Sequence, residues 1–185
     1  MGRDRRILEA AAVAFQEKGF HGVGMDELGT RAGLSGPSLY RYFSGKDEIL
    51  ATLLNEAMDE LLAATAPVEE DPAADLRRAL RHHAEFALAN RALVTLYQRE
   101  VGSLVDPWSR SFTRRRGHYT RRWEALVARA RPDLDDATVA ATSQGCLGLV
   151  FSVSSWPDRT LVRPRLAELI VDLALRGIDG AASAA

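Results

Sequence analysis

Apolar positions recur at helical spacing from the start of the chain. Ile7, Leu8, Ala11, Ala12 and Phe15 line one face of a helix, and Gly19 follows as a left-handed stop. The pattern predicts a helix over 4–18. A second short helical stretch opens at Asp26-Glu27-Leu28 and ends at Ala32-Gly33. Leu34-Ser35 then reads as a tight turn into a third helix, predicted to run to Phe43. Ser35 is its N-cap, and Gly36 and Pro37 lie in the first turn, where proline's missing N–H costs nothing. After Ser44-Gly45, the acidic start Lys46-Asp47-Glu48 opens a long helix to 65 that suits the macrodipole. Its stripe is Ile49, Leu50, Leu53, Leu54, Ala57, Met58, Leu61 and Leu62.

The proline- and acid-rich segment 66–72 breaks the pattern. Beyond it, further helices are predicted over 73–90, 92–101, 107–131, 136–155 and 164–176, each bounded by Pro, Gly or Asp. Val150 to Val153 has strand-like composition, yet it continues a longer apolar helix, and length decides for helix. The expectation is an all-α fold of about nine helices. A three-helix, helix-turn-helix module occupies 1–46 and a helical ligand-binding and dimerisation domain 47–180, with a small-residue tail at 181–185.

Composition narrows the class. The 185 residues are 46% hydrophobic and 26% charged, as expected of a globular protein that buries a core. The longest apolar runs, such as 146–153, fall short of the roughly 20 residues that span a bilayer. The N-terminus lacks the apolar stretch of a signal peptide. A cytoplasmic protein with no membrane partner is expected. Cys146 is the single cysteine, so no intrachain disulfide forms, and its apolar neighbours favour an inert thiol. A net charge of -1 provides no global attraction to DNA, so a nucleic-acid site must be a local patch. Residues 1–50 hold seven basic side chains (Arg3, Arg5, Arg6, Lys18, Arg31, Arg41, Lys46) and seven acidic ones. Geometry must therefore make any basic face.

The run Asp26-Glu27-Leu28-Gly29-Thr30-Arg31-Ala32-Gly33-Leu34-Ser35-Gly36-Pro37-Ser38-Leu39-Tyr40-Arg41-Tyr42-Phe43, with Lys46 after it, closely resembles the DNA-binding signature of the TetR/AcrR family of bacterial transcription regulators. The resemblance covers about the first 60 residues: the Ala-Gly-Leu-Ser turn, the Leu-Tyr-x-Tyr-Phe recognition helix and the lysine opening the next helix. It implies a homodimeric repressor on operator double-stranded DNA, released by a small-molecule effector. The sequence names neither operator nor effector, and activation uses the same DNA module. Two positions depart from the family pattern. Gly24 stands where Ser or Thr usually caps helix 2 and touches phosphate, and Gly29 replaces a usual alanine at about 1 kcal/mol of helix propensity.

The residues themselves divide between building and reading. Gly33 permits the positive φ of the turn, while Leu28, Ala32, Leu34, Leu39 and Phe43 are spaced to pack the small helices on the first. Ser35, Gly36, Pro37, Ser38, Tyr40, Arg41 and Tyr42 remain as candidates to face the major groove, with Gly24 and Met25 at the start of helix 2. Arg41 suits guanine O6/N7, and Tyr40 or Tyr42 a phosphate or thymine methyl. Lys46, at a helix start, suits a phosphate.

One such module contacts too few bases for selectivity, so a second half-site about 34 Å away is expected on a symmetric dimer. Cys146, Val150 and Val153, with Leu166, Leu169, Ile170 and Leu173, are the candidate interface, although monomer core accounts for the same stripes. Phe86, Leu93, Tyr97, Trp108, Phe112, Tyr119 and Trp123 concentrate aromatic and apolar bulk in the middle helices, as in an apolar ligand pocket, and Arg121 joins them. Core packing accounts for them equally well. Arg110, Arg114, Arg115, Arg116, Arg121 and Arg122 crowd one helix, suiting either an anionic ligand such as an acyl-coenzyme A or a solvated face. Adjacent His82 and His83 diverge by about 100° on a helix and cannot chelate one metal together. No phosphate loop, nucleophile elbow or CxxC pair occurs. Neither cofactor, metal nor catalysis is expected. A small helical enzyme would need a convergent acid–base pair that the sequence does not display.

Overall fold

The computed structural model describes residues 2–68 and 70–181. These form ten α-helices: α1 (Arg3–Lys18), α2 (Met25–Ala32), α3 (Gly36–Leu39), α4 (Lys46–Ala64), α5 (Pro72–Ala89), α6 (Arg91–Glu100), α7 (Trp108–Ala130), α8 (Asp136–Ser152), α9 (Asp158–Leu161) and α10 (Leu166–Gly180). Single 3-10 turns follow α6 and α8, at Val101–Ser103 and Val153–Ser155. No strand occurs among the described residues. The tail expected at 181–185 lies, from residue 182 onward, outside the described residues.

Four local expectations are corrected. Ten helices stand where about nine were expected, because Pro157 caps the one-turn α9 in a segment whose turn-forming residues hid it. The third helix ends at Leu39 rather than Phe43. The last helix begins at Leu166, after Arg165 adopts the left-handed conformation (φ 57°, ψ 38°), and continues to Gly180. Finally, Asp136–Ser155 has a mean hydropathy of 1.3 and is long and apolar enough to cross a membrane, although a third of it is buried within the chain. Its glycines, serines and threonines interrupt the apolar runs without lowering the average much. The helix packs on α5 and α10.

The chain forms two compact units, Met1–Met58 with Ala92–Arg115, and Asp59–Arg91 with Arg116–Ala185. In the first unit α1 packs on α2 and α2 on α3. Ile7, Ala11, Leu28, Leu39, Ile49 and Leu50 are fully buried there. The ring of Phe15 meets Phe20 edge to face at 5.3 Å. Buried Glu100 accepts hydrogen bonds from the Phe20 N–H (3.3 Å) and the Ser103 hydroxyl (3.0 Å), so its carboxylate is desolvated with partners in place.

In the second unit α5 packs on α10 and α8, and α8 on α10. Asp71 caps α5 through the Ala73 N–H (3.0 Å) and Asp135 caps α8 through the Thr138 N–H (2.7 Å), supplying acceptors to orphan donors. The break after α4 is held by a buried clasp. Asp75 accepts from the Val68 N–H (2.9 Å), Arg78 (3.1 Å) and Arg129 (3.2 Å), and Arg78 donates to the Ala64 and Ala66 carbonyls.

Candidate nucleic-acid interface

The turn between α2 and α3 is a Schellman closure. Gly33 sits at φ 71°, ψ 34°; its N–H donates to the Thr30 carbonyl (3.1 Å) and the Leu34 N–H to the Gly29 carbonyl (2.8 Å). Gly29 gains a reason here. A Cβ at that position would lie 3.2 Å from the Leu34 carbonyl oxygen and 3.4 Å from the Gly36 nitrogen, so its absence lets α2 approach the turn closely. Gly24 is the extended N-cap of α2, without a side-chain cap bond and with open space where a side chain would go.

Ser35 follows as the extended N-cap of α3, its carbonyl accepting from Ser38 (2.9 Å) and Leu39 (3.2 Å). The Ser35 and Ser38 hydroxyls are hydrogen-bonded to each other at 2.8 Å. Past Leu39 the chain continues in tight turns, with the Tyr42 and Phe43 N–H groups donating to the Leu39 carbonyl. Leu39 and Phe43 therefore bury four residues apart, as they would on a continued helix. This leaves an outward edge. Ser35, Pro37, Tyr40 and Arg41 are exposed, Tyr40 by 56%; Met25, Gly36, Ser38 and Tyr42 are half-buried.

Ion pairing decides which cations remain available beside that edge. Lys18 pairs with Glu27 (2.7 Å), Arg31 with Glu17 and Glu27, and Arg5 with Glu9 and Glu56. The Lys18 ammonium, with Arg31 behind it, holds the Glu27 carboxyl below its ordinary range. Arg6 donates to the Ala32 carbonyl (3.2 Å). Lys46 spends two of its three donors on the Phe20 and Val23 carbonyls, both at 3.1 Å, with its nitrogen 4.6 Å from the Phe20 ring centre. Arg41 is exposed and, among the described residues, forms no ion pair. Arg3, which the sequence did not single out, donates to the Tyr42 hydroxyl (3.3 Å) and adds a second exposed guanidinium to the edge.

The candidate effector residues divide evenly between the units. Leu93, Tyr97, Trp108 and Phe112 belong to the first, where the Tyr97 and Phe112 rings are 6.1 Å apart. Phe86, Tyr119, Trp123 and Arg121 belong to the second. Phe86, Phe112, Tyr119 and Trp123 are buried, while Arg121 is exposed. Sequence reasoning treated His83 only as half of a metal pair. It is fully buried on α5, with its ring stacked 5.8 Å from Tyr119 and edge-on to Trp123 at 4.8 Å. The available signal was its register with Leu76, Ala79, Leu80 and Ala87 on the buried face of that helix. Burial pushes the His83 ring down to about 3. Among the described residues no cluster of three or more His, Cys, Asp or Glu is placed to hold a metal.

Of the candidate interface residues, Cys146, Val150, Val153, Leu166 and Ile170 are buried within the second unit; Leu169 is half-buried and Leu173 is 46% exposed. Burial raises the Cys146 thiol to about 11, well above the range of a reactive thiolate.

Comparison with known proteins matches two segments of the chain. Residues 7–53 match the family of bacterial regulatory proteins, tetR family. Residues 69–178 match the tetracyclin repressor-like C-terminal domain. The HTH-type transcriptional repressor SCO4008 of Streptomyces coelicolor is 27% identical over 176 residues, covering 95% of this chain and 86% of its own. The HTH-type transcriptional activator FasR of Mycolicibacterium smegmatis is 42% identical over 64 residues, 33% of this chain and 29% of its own. In three dimensions the chain is similar to AibR, solved with isovaleryl coenzyme A and operator DNA: TM-score 0.78 at 22% identity, covering 92% of this chain and 95% of that one.

Proposed function

The chain belongs to the TetR family of bacterial regulatory proteins, and from that premise we propose that it represses transcription as a homodimer on a palindromic operator and leaves it when an effector binds. It is a DNA-binding transcription regulator and not an enzyme. The observation that carries the reading is the exposed Ser35–Tyr42 edge, which has Arg41 unpaired while Lys18, Arg31 and Arg5 are neutralised by neighbouring carboxylates. Arg41 reads a base, Tyr40, Tyr42, Ser35 and Ser38 contact the backbone and base edges, and Gly24, Met25, Gly36 and Pro37 let the main chain approach. Lys46 keeps one ammonium donor for a phosphate. Residues 1–46 act as the DNA head and 47–180 as the effector and dimer domain, in the cytoplasm.

Support for the dimer comes from α8 and α10. Gly145 and Gly148 are exposed on an α8 of high mean hydropathy, and Leu173 is exposed beside half-buried Leu169 on α10. Such a face is stabilised by burial against a second copy. Repression follows SCO4008, while the match over 64 residues to FasR, an activator, supports activation as the second reading. The effector is an apolar molecule, or an acyl-coenzyme A as for AibR, with exposed Arg114, Arg116 and Arg121 on α7 supplying the positive charge. An effector with higher affinity for one dimer spacing shifts the population toward it. Met58, Leu61 and Leu62 on α4, where the chain passes from one unit to the other, transmit the change.

The test is selection of genomic fragments by the purified protein, then titration of the best fragment at two salt concentrations. A shared palindrome bound near ~10⁻⁸ M, weakening steeply with salt, is expected. Fragments with no common sequence, bound equally well, would contradict the reading.

A further inference from the structure

Among the buried polar atoms of the second unit that have no hydrogen-bond partner among the described residues are Nε2 of His83 and Nε1 of Trp123. Both side chains are fully buried, and their rings meet nearly perpendicular at 4.8 Å. Their chemistry is complementary. The His83 Nδ1 lies 2.7 Å from the Ala79 carbonyl, which only accepts, so Nδ1 carries the proton and Nε2 presents a bare lone pair. Burial holds the ring neutral. The Trp123 indole N–H only donates. The two rings in contact thus offer one acceptor and one donor in the same buried cluster, with the Tyr119 ring stacked on His83.

We propose that His83 and Trp123 recognise the hydroxyl group of an otherwise apolar, uncharged molecule bound inside this unit, the hydroxyl donating to His83 Nε2 and accepting from Trp123 Nε1–H. A carboxylate would accept from Trp123 but set a second lone pair against Nε2. An ammonium would donate to His83 but repel the indole N–H. A hydroxyl satisfies both and removes the cost of leaving either buried atom unmade. The inference rests on the effector-responsive reading above and gives that effector a head group.

The experiment measures binding of decanol, decyl methyl ether and decanoate to the full chain by calorimetry, alongside binding of the selected operator. Decanol is expected to bind at least about tenfold more tightly than the ether, which cannot donate, and than the carboxylate. Trp123→Phe, which keeps a ring and removes the N–H, and His83→Phe should each bring the alcohol-to-ether ratio close to one while operator affinity persists. If His83→Phe does not fold, Trp123→Phe alone decides. Equal binding of alcohol and ether would overturn the inference. So would binding of neither by a protein that still holds its operator, since a buried water alone would then satisfy the pair. Failure of the wild-type chain to select any operator would instead overturn the regulator reading beneath it.

Discussion

The two units leave different polar groups without a protein partner. In the first, Arg41 stands at the surface beside Tyr40, while Lys18, Arg31 and Arg5 are tied to carboxylates. In the second, His83 and Trp123 lie in the interior with one polar atom each unsatisfied. Water solvates an exposed guanidinium, so leaving it unpaired is inexpensive and keeps it available for a polyanion. A buried unmade hydrogen bond costs about 1–3 kcal/mol, so two together mark a place where the fold is less stable than packing alone would allow. On the proposed reading, the exposed edge recognises charge and shape from outside, whereas the interior pair recognises hydrogen-bonding capacity from within.

The largest expected effect lies in the interior. Trp123→Ala empties a fully buried site and should destabilise the chain by about 3–5 kcal/mol, read from urea unfolding. A loss under 1 kcal/mol would show that the site is loosely packed. The next effect is pH-dependent. The ordinary His83 value of 6.5 falls to about 3 in the folded chain, mainly through burial, helped by neighbouring His82 and opposed by the Ala79 carbonyl. Between these values the unfolded chain binds a proton that the folded chain refuses. Stability present above pH 6.5 is therefore lost as pH falls toward 3, by up to about 1.4 kcal/mol per unit. The wild type should show this slope relative to His83→Phe; parallel profiles would sink the buried-neutral assignment.

At the surface, Arg41→Ala should weaken operator binding by about 1–3 kcal/mol with unchanged melting temperature. Lys46→Met sharpens the contrast further. Because Lys46 donates to the Phe20 and Val23 carbonyls, the substitution should cost about 1 kcal/mol of stability. If its third donor also holds phosphate, the salt slope of operator binding falls by about one as well. An unchanged slope with lowered stability would make Lys46 a fastener of the α1–α2 loop alone.

The helix-turn-helix was legible because its local rules agree: a glycine at positive φ, a serine N-cap, and apolar residues spaced for burial all indicate the same turn. Its third helix was read too long because Leu39 and Phe43 have a spacing that serves a helix and a run of tight turns alike. On α8 the periodicity was ambiguous for another reason. Apolar and small residues surround that helix, so sequence could not say that Cys146 and Val150 face inward while Gly145 and Gly148 face out. His83 was hidden by its neighbour: the His82-His83 pair drew attention to metal chemistry, whereas its own register with Ala79 and Leu80 put it in the core. Which polar atoms remain unpaired inside depends on how α5 meets α7, a tertiary fact that no local pattern encodes.

The most direct test of the central claim, sequence-specific operator recognition through the Ser35–Tyr42 edge, is an anisotropy titration of wild type and Arg41→Ala against the selected palindrome and a scrambled duplex at one salt concentration. Wild type is expected to favour the palindrome by about 10³-fold or more, and Arg41→Ala to lose much of that preference while binding the scrambled duplex almost as before. Equal affinity of the wild type for both duplexes, or an unaltered preference in Arg41→Ala, would contradict it.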